Sequence, residues 1–165
     1  YGLPGAIGAK IGNPDTPVIS ISGDGGMQMN IQELATAVLE ELPIISCIFN
    51  NNNLGMVRQW QKLFYGQRYS MTCLRSGAAC RGKCGEVECP KYTPDFIKLA
   101  ESYGAKGIRV TKKEDIIPAF EEARKSTKVP TIIEFENIYK NISFGSRGCL
   151  CGVQQLQRLD NAGEP

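Results

Sequence analysis

Short apolar runs rich in β-branched residues alternate with helical stretches, and this alternation limits the possible folds most strongly. The sequence predicts strands at residues 18–22, 44–49, 106–110 and 131–136. It predicts helices at 2–12, 30–42, 54–64, 93–104 and 111–126. In the helix at 93–104, Thr93 fits the N-cap, Pro94 the first turn and Gly104 the terminator. Because helices of about a dozen residues can serve as crossovers between parallel strands, we predict an α/β fold with a parallel sheet flanked by helices.

The size and charge of the chain fit one globular domain. It has 165 residues, of which 42% are apolar and 22% are charged, with a net charge of +2. This balance argues against nucleic acid or a membrane surface as a partner. No apolar run reaches the roughly 18 residues of a membrane helix. Because there are seven cysteines and no visible secretory signal, we expect reduced thiols and a cytoplasmic location.

Polar and glycine residues follow two of the predicted strands at their carboxyl ends, where open α/β sheets bind ligands. Asp24 stands between Gly23 and Gly25 after the first strand, and four asparagines at 50–53 follow the second. Glycine N–H groups suit a phosphate, and a carboxylate beside a phosphate usually holds a divalent cation. Amide and carbonyl oxygens are neutral Mg²⁺ ligands. The residues indicate a Mg²⁺–diphosphate site, and the alternative is an Asp-Gly turn and a polar loop without a ligand.

The spacing from Gly23-Asp24-Gly25 to Asn50-Asn51 resembles the thiamine-diphosphate motif of the pyruvate-decarboxylase-like enzymes. Three stretches indicate which group of these enzymes the chain resembles: GDGGMQMNIQELATAV, NNNLGMVRQWQKLFYGQRYS and PDFIKLAESYGAKGIRVTKKED. They are similar to the C-terminal cofactor domain of the catalytic subunit of the acetolactate (acetohydroxyacid) synthases. The resemblance covers residues 1–136 apart from a cysteine-rich segment, and the run at 55–61 is its most specific part.

The resemblance implies a thiamine-diphosphate-binding fold and a set of metal ligands. Asp24 and the side-chain amide of Asn51 would bind Mg²⁺, and Asn53 would add its backbone carbonyl. Gly25 and Gly26 would donate N–H groups to the cofactor diphosphate. No ligand role is implied for the other two asparagines of the run.

The same resemblance implies further contacts with the cofactor and the substrate. The cofactor-binding set would also include Gly23 and Met56, together with Asp24 and Asn51. Met56 and Trp60 would line the substrate channel. Without the resemblance, an apolar pair four residues apart on a helix would be interpreted as core.

The activity implied is thiamine-diphosphate-dependent decarboxylation of pyruvate. Condensation with a second 2-oxo acid (pyruvate or 2-oxobutyrate) follows, in valine and isoleucine biosynthesis. The parent enzyme would be a homodimer or tetramer, with FAD in a domain absent here and with a regulatory subunit as an optional partner.

No catalytic residue is implied within this fragment, because the activating glutamate belongs to a different domain. We therefore expect the isolated chain to be inactive. The alternatives are another thiamine-diphosphate carboligase or 2-oxo-acid decarboxylase, and a non-catalytic cysteine-rich metal-binding module.

Four of the seven cysteines lie in an insertion at about 71–92 that the family usually lacks. Its four thiols could hold zinc or an iron–sulfur cluster: Cys73, Cys80, Cys84 and Cys89. Because no Cys-x-x-Cys pair is present, a reduced surface loop or disulfides are the alternative. Cys47 lies in a predicted strand and is expected to be an inert core thiol. We therefore predict a cofactor domain at 1–137, interrupted by this insertion, and a divergent, poorly ordered tail at 138–165.

Overall fold

A computed structural model of the chain describes residues 1–74 and 93–136 and confirms the predicted α/β fold. Four strands form one sheet in the order β1-β2-β4-β3, and every neighbouring pair is parallel. The strands are β1 (Ile19–Gly23), β2 (Ile45–Asn50), β3 (Lys106–Val110) and β4 (Thr131–Glu136). The helices are α1 (Gly2–Gly12), α2 (Asp24–Gln28), α3 (Glu33–Leu39), α4 (Gly55–Phe64), α5 (Phe96–Ser102) and α6 (Ile116–Arg124). Within this described part, no helix is long and apolar enough to cross a membrane.

The alternating side chains of the strands build two cores, one on each side of the sheet. Ile48 and Ile132 join residues of α1, α3 and α5 in the larger cluster. Cys47 and Ile133 face the other way and join residues of α6. Burial raises the pKa of the Cys47 thiol to about 11, as expected for an inert core cysteine.

Helix α2 begins directly after β1, at Asp24. One local prediction needs correction. The N-cap of α5 is Asp95, not Thr93, because the Asp95 carboxylate accepts the backbone N–H groups of Ile97 and Lys98. Gly104 does follow the end of α5 in a left-handed conformation, with φ of +82°.

Several sequence predictions concern residues outside the described ones. They include the metal-binding hypothesis for Cys80, Cys84 and Cys89, and the tail at 138–165. The division into a domain at 1–137, an insertion and a tail also stays a prediction.

Candidate functional site

Strands β1 and β2 bring the glycine-wrapped aspartate and the asparagines to one edge of the sheet. Gly23 pairs with Phe49, so Asp24 and Asn50 are the next residues along two adjacent parallel strands. The Asp24 side chain is buried, with 2% of its surface exposed. One carboxylate oxygen, Oδ1, accepts the Gly25 N–H at 2.9 Å. The other, Oδ2, is buried and has no hydrogen-bond partner among the described residues.

The electrostatics of Asp24 indicate that this carboxylate is suited to a cation. Burial raises the pKa of Asp24, and the backbone N–H groups of Gly25, Asn52 and Asn53 oppose that shift. Two of these N–H groups belong to the loop after β2, so the fold brings both halves of the predicted site together. A bound cation would stabilise the charged carboxylate and supply the partner that Oδ2 lacks.

The asparagine loop (residues 50–53) alternates between buried and more accessible side chains. Asn50 and Asn52 are buried, Asn51 is exposed and Asn53 is half-buried. The side-chain oxygen of Asn51 accepts the Asn53 N–H at 2.8 Å. Because an amide oxygen has two lone pairs, this oxygen retains one for a metal. The third predicted ligand is the backbone carbonyl of Asn53, and the Asn53 side-chain nitrogen donates to the Asn51 carbonyl at 2.8 Å.

These three oxygens fit Mg²⁺ chemically. They comprise a carboxylate, an amide and a backbone carbonyl, which are hard ligands, and their small number leaves room for phosphate oxygens and water. No cluster of three or more His, Cys, Asp or Glu side chains suited to a metal occurs within residues 1–74 and 93–136. The predicted magnesium set is of a different kind, because two of its three donors are neutral oxygens. The assignment to Asp24, Asn51 and Asn53 therefore stays a prediction that the geometry supports.

Two glycines leave space for side chains in and next to the asparagine loop. A Cβ on Gly25 would lie 2.6 Å from Cδ2 of Leu54, next to the asparagine loop. A Cβ on Gly55 would lie 3.1 Å from the side-chain nitrogen of Asn51. The surroundings of Gly26 are more open, with the nearest atom at 3.9 Å. The Gly25 N–H is bonded to Asp24, so its predicted contact with a diphosphate would require this bond to be exchanged.

Helix α4 contributes an exposed apolar surface rather than core. Met56 is 74% exposed and Trp60 is 58% exposed, and no residue of α4 is buried. Trp60 contacts the Phe64 ring edge-to-face, with the ring centroids 6.1 Å apart. Met56 and Trp60 are therefore not core residues in this structure, and their place in a substrate channel stays a prediction.

Sequence reasoning missed a buried polar group behind the asparagine loop. Glu134 lies in the interior strand β4, and its carboxylate accepts hydrogen bonds from Asn50 at 2.7 Å and from Arg109 at 2.9 Å. The signal in the sequence was a glutamate within the apolar run TIIEFE. Asn52 likewise has a partner, because its side-chain oxygen accepts the Thr93 hydroxyl at 2.6 Å.

Comparisons with known proteins show the family and the fold of the chain. The family model "Thiamine pyrophosphate enzyme, C-terminal TPP binding domain" matches residues 1–135. The chain is 47% identical to the acetolactate synthase large subunit of Corynebacterium glutamicum over 135 residues, which are 82% of the chain. It is 42% identical to that of Cyanidium caldarium over 168 aligned positions, which cover 98% of the chain. The chain spans 20% and 26% of these two relatives.

A solved structure gives the same result for the fold. The thiamine diphosphate-dependent 4-hydroxybenzoylformate decarboxylase of Rhodococcus jostii RHA1 superposes with a TM-score of 0.68 at 31% sequence identity. The match covers 83% of the chain and 23% of that enzyme. In each of these comparisons the chain matches about a quarter or less of a longer protein.

Proposed function

Because the chain belongs to the family of the C-terminal TPP binding domains of thiamine pyrophosphate enzymes, we propose that it is the cofactor-binding part of an acetolactate synthase catalytic subunit. Identities of 42–48% to acetolactate synthase large subunits support this assignment. The decarboxylase of known structure is less similar, at 31% identity, so a decarboxylase is the less favoured alternative. The reaction would join decarboxylated pyruvate to a second 2-oxo acid, pyruvate or 2-oxobutyrate.

The single observation that carries the proposal is the buried, unpartnered Oδ2 of Asp24 beside the asparagine loop. We infer that Asp24, the Asn51 side chain and the Asn53 carbonyl hold Mg²⁺, which in turn binds the diphosphate of the cofactor. Thiamine diphosphate, when bound, supplies the electron sink for decarboxylation and for carbon–carbon bond formation. The chain itself contributes the metal donors and the orientation of the cofactor.

Helix α4 would line the substrate channel. Its exposed side chains Met56 and Trp60 are apolar and large, so they would exclude water from the reacting centre once the rest of the enzyme covers them. Another domain of the parent enzyme would supply the general acid–base group, and a further domain would bind FAD. The parent enzyme would also contain a second subunit. We therefore expect no acetolactate from the isolated chain, and its detection in a turnover assay would contradict this expectation.

The experiment uses the full-length catalytic subunit that carries this sequence. With pyruvate alone, and then with pyruvate plus 2-oxobutyrate, an acetolactate synthase forms acetolactate and acetohydroxybutyrate, whereas a decarboxylase releases aldehyde. Asp24→Ala should abolish calorimetric binding of Mg²⁺ and thiamine diphosphate. The control Asp15→Ala, in an exposed turn, should bind as the parent does. Unchanged binding in Asp24→Ala would refute the metal site.

A further inference from the structure

A buried carboxylate lies directly behind the asparagine loop and takes no part in the proposed metal site. Glu134 is 2% exposed, and both of its oxygens are paired, Oε1 with Asn50 and Oε2 with Arg109. A buried ion pair is often no more stable than apolar residues of the same volume. Fold stability alone therefore gives a weak reason for a glutamate in an interior strand.

The hydrogen bond from Asn50 to Glu134 fixes which way the Asn50 amide points. An ionised carboxylate only accepts hydrogen bonds, so the Asn50 nitrogen must face Glu134. The Asn50 oxygen must then face the loop, where it accepts the Asn52 N–H at 3.0 Å. A flipped amide would set two acceptors against each other at one end and two donors at the other.

The bond between Asn50 and Asn52 holds the loop in an unusual conformation. Asn52 has a φ of +57°, in the left-handed region that non-glycine residues seldom adopt. The side-chain oxygen of Asn50 closes an Asx-type turn that spans Asn51 and ends at the Asn52 N–H. Because Asn52 stands between Asn51 and Asn53, its conformation determines how these two predicted ligands are presented to a cation.

The other oxygen of Glu134 is held by a second set of charged groups. Arg109 donates through Nε to Glu134 and through Nη2 to Asp95 at 2.7 Å, and Asp95 is the N-cap of α5. The carboxylate therefore cannot rotate away from Asn50 without breaking an ion pair. A chain of hydrogen bonds extends from α5 through β3 and β4 to the asparagine loop.

We propose that Glu134 is a positioning residue, which sets the Asn50 amide and thereby the turn that presents Asn51 and Asn53 to Mg²⁺. The inference rests on the proposed metal site and deepens it. Residues that orient metal ligands through hydrogen bonds typically affect metal affinity by about 10–100-fold when replaced. A purely structural role would instead change the thermal stability and leave the affinity for the metal as it was.

The test measures metal affinity directly in the full-length subunit. Mn²⁺ is titrated in the presence of thiamine diphosphate, and the free ion is counted by electron paramagnetic resonance. Glu134→Gln should raise the Kd for Mn²⁺ about 10-fold or more. The NH2 group of the glutamine must face either the Asn50 nitrogen or Arg109, and both of these groups are donors. The matched control is Glu122→Gln, which removes a carboxylate paired with Lys106 and Lys125 on the surface and should leave the Kd unchanged.

Exchanging the donor and the acceptor between positions 50 and 134 should restore the affinity for Mn²⁺. In the double variant Asn50→Asp/Glu134→Gln, the glutamine amide can donate to the new carboxylate, which still accepts the Asn52 N–H. This variant should recover most of the lost affinity, whereas Asn50→Asp alone sets two carboxylates against each other and should not. If Glu134→Gln does not fold, Asn50→Ala tests the same link, because it removes the acceptor for the Asn52 N–H and should also weaken Mn²⁺ binding.

The outcomes separate this inference from the proposed function. If Asp24→Ala abolishes Mn²⁺ binding while Glu134→Gln and Asn50→Ala leave it unchanged, the positioning role is refuted and the metal site stands. If Asp24→Ala has no effect, the metal site fails and the positioning role with it. A lower Tm for Glu134→Gln at unchanged Kd would reduce Glu134 to a structural residue.

Discussion

Replacing Gly107 with alanine should destabilise the fold, because helix α5 packs directly against the backbone of β3 at this glycine. A Cβ on Gly107 would lie 2.8 Å from Cγ2 of Ile97, 3.0 Å from its Cα and 3.1 Å from its carbonyl oxygen. Two of these three atoms belong to the backbone of α5. A change of the Ile97 rotamer therefore relieves only one contact, and the helix itself must move.

The size of the effect follows from these distances. Comfortable contacts lie at about 3.5–4.0 Å, so α5 must move away from the sheet by about 0.5–1 Å. Phe96 and Ala100 of the same helix are fully buried, and their packing resists the movement. Overpacking of this kind typically costs about 1–3 kcal/mol of unfolding free energy. The N-cap Asp95 moves with α5, so its ion pair with Arg109 should weaken as well.

The assay is urea unfolding of the chain, followed by circular dichroism. With an m-value of about 1–3 kcal/mol per molar urea, the midpoint should fall by about 1 M. The control is Gly8→Ala in helix α1, where nothing lies within 4 Å of the added methyl group and where alanine should stabilise by about 0.5–1 kcal/mol. A midpoint for Gly107→Ala that equals or exceeds that of the unmodified chain would refute the packing argument.

Three further predictions concern a thiol and two carboxylates. Cys47, with its pKa raised by burial to about 11, should resist maleimide at pH 8 in the folded chain and react on unfolding; rapid labelling at Cys47 in native buffer, followed by mass spectrometry, would contradict its burial. Asp24→Asn should raise the Tm of the metal-free chain, because it removes a buried charge, and should abolish any increase of Tm by Mg²⁺; a lower Tm without metal would argue against that cost. Asp95→Ala should cost about 1 kcal/mol through loss of the N-cap. Slight burial raises the pKa of Asp95. The Lys98 N–H and the Arg109 guanidinium lower this pKa by more than burial raises it, so the net shift is downward. The contribution of Asp95 is therefore present above its unfolded pKa and is lost as the pH falls through the lower folded value. Acid unfolding curves of the chain and of Asp95→Ala should converge in that range, and a constant gap between them would disprove the linkage.

The strands and the position of Asp24 could be predicted from the sequence because they depend on local patterns. The run VISIS and the glycines after it lie within a few residues of each other, and so do IISCIF and the asparagines. The bond between Asn50 and Glu134 joins residues 84 positions apart. It exists because β2 and β4 are neighbours in the sheet, and strand order is a property of the whole fold.

The error at Thr93 has a related cause. Thr93-Pro94 matches the preferred start of a helix, and so does Asp95, which lies two residues further on. Contacts with residues outside the helix decide which of the two residues is the N-cap. Thr93 donates its hydroxyl to Asn52, and Arg109 holds Asp95 at the N-cap. Threonine and aspartate are both favoured at an N-cap, and in the structure the cap is Asp95.

The features that cost folding free energy converge on one edge of the sheet. Asp24 buries a carboxylate oxygen without a partner, Glu134 buries a charge, and Asn52 adopts a left-handed backbone. Such costs persist where the surrounding structure fixes them, and they are typical of binding sites. A cation bound between Asp24 and the asparagine loop would offset the first of these costs and would bind the folded state alone. At a metal concentration 100 times the Kd, this linkage would add about 2.7 kcal/mol to the stability of the domain. The fold would then be most stable in the state that binds the cofactor, and the rigid support by Glu134 would keep the loop preorganised before the metal arrives.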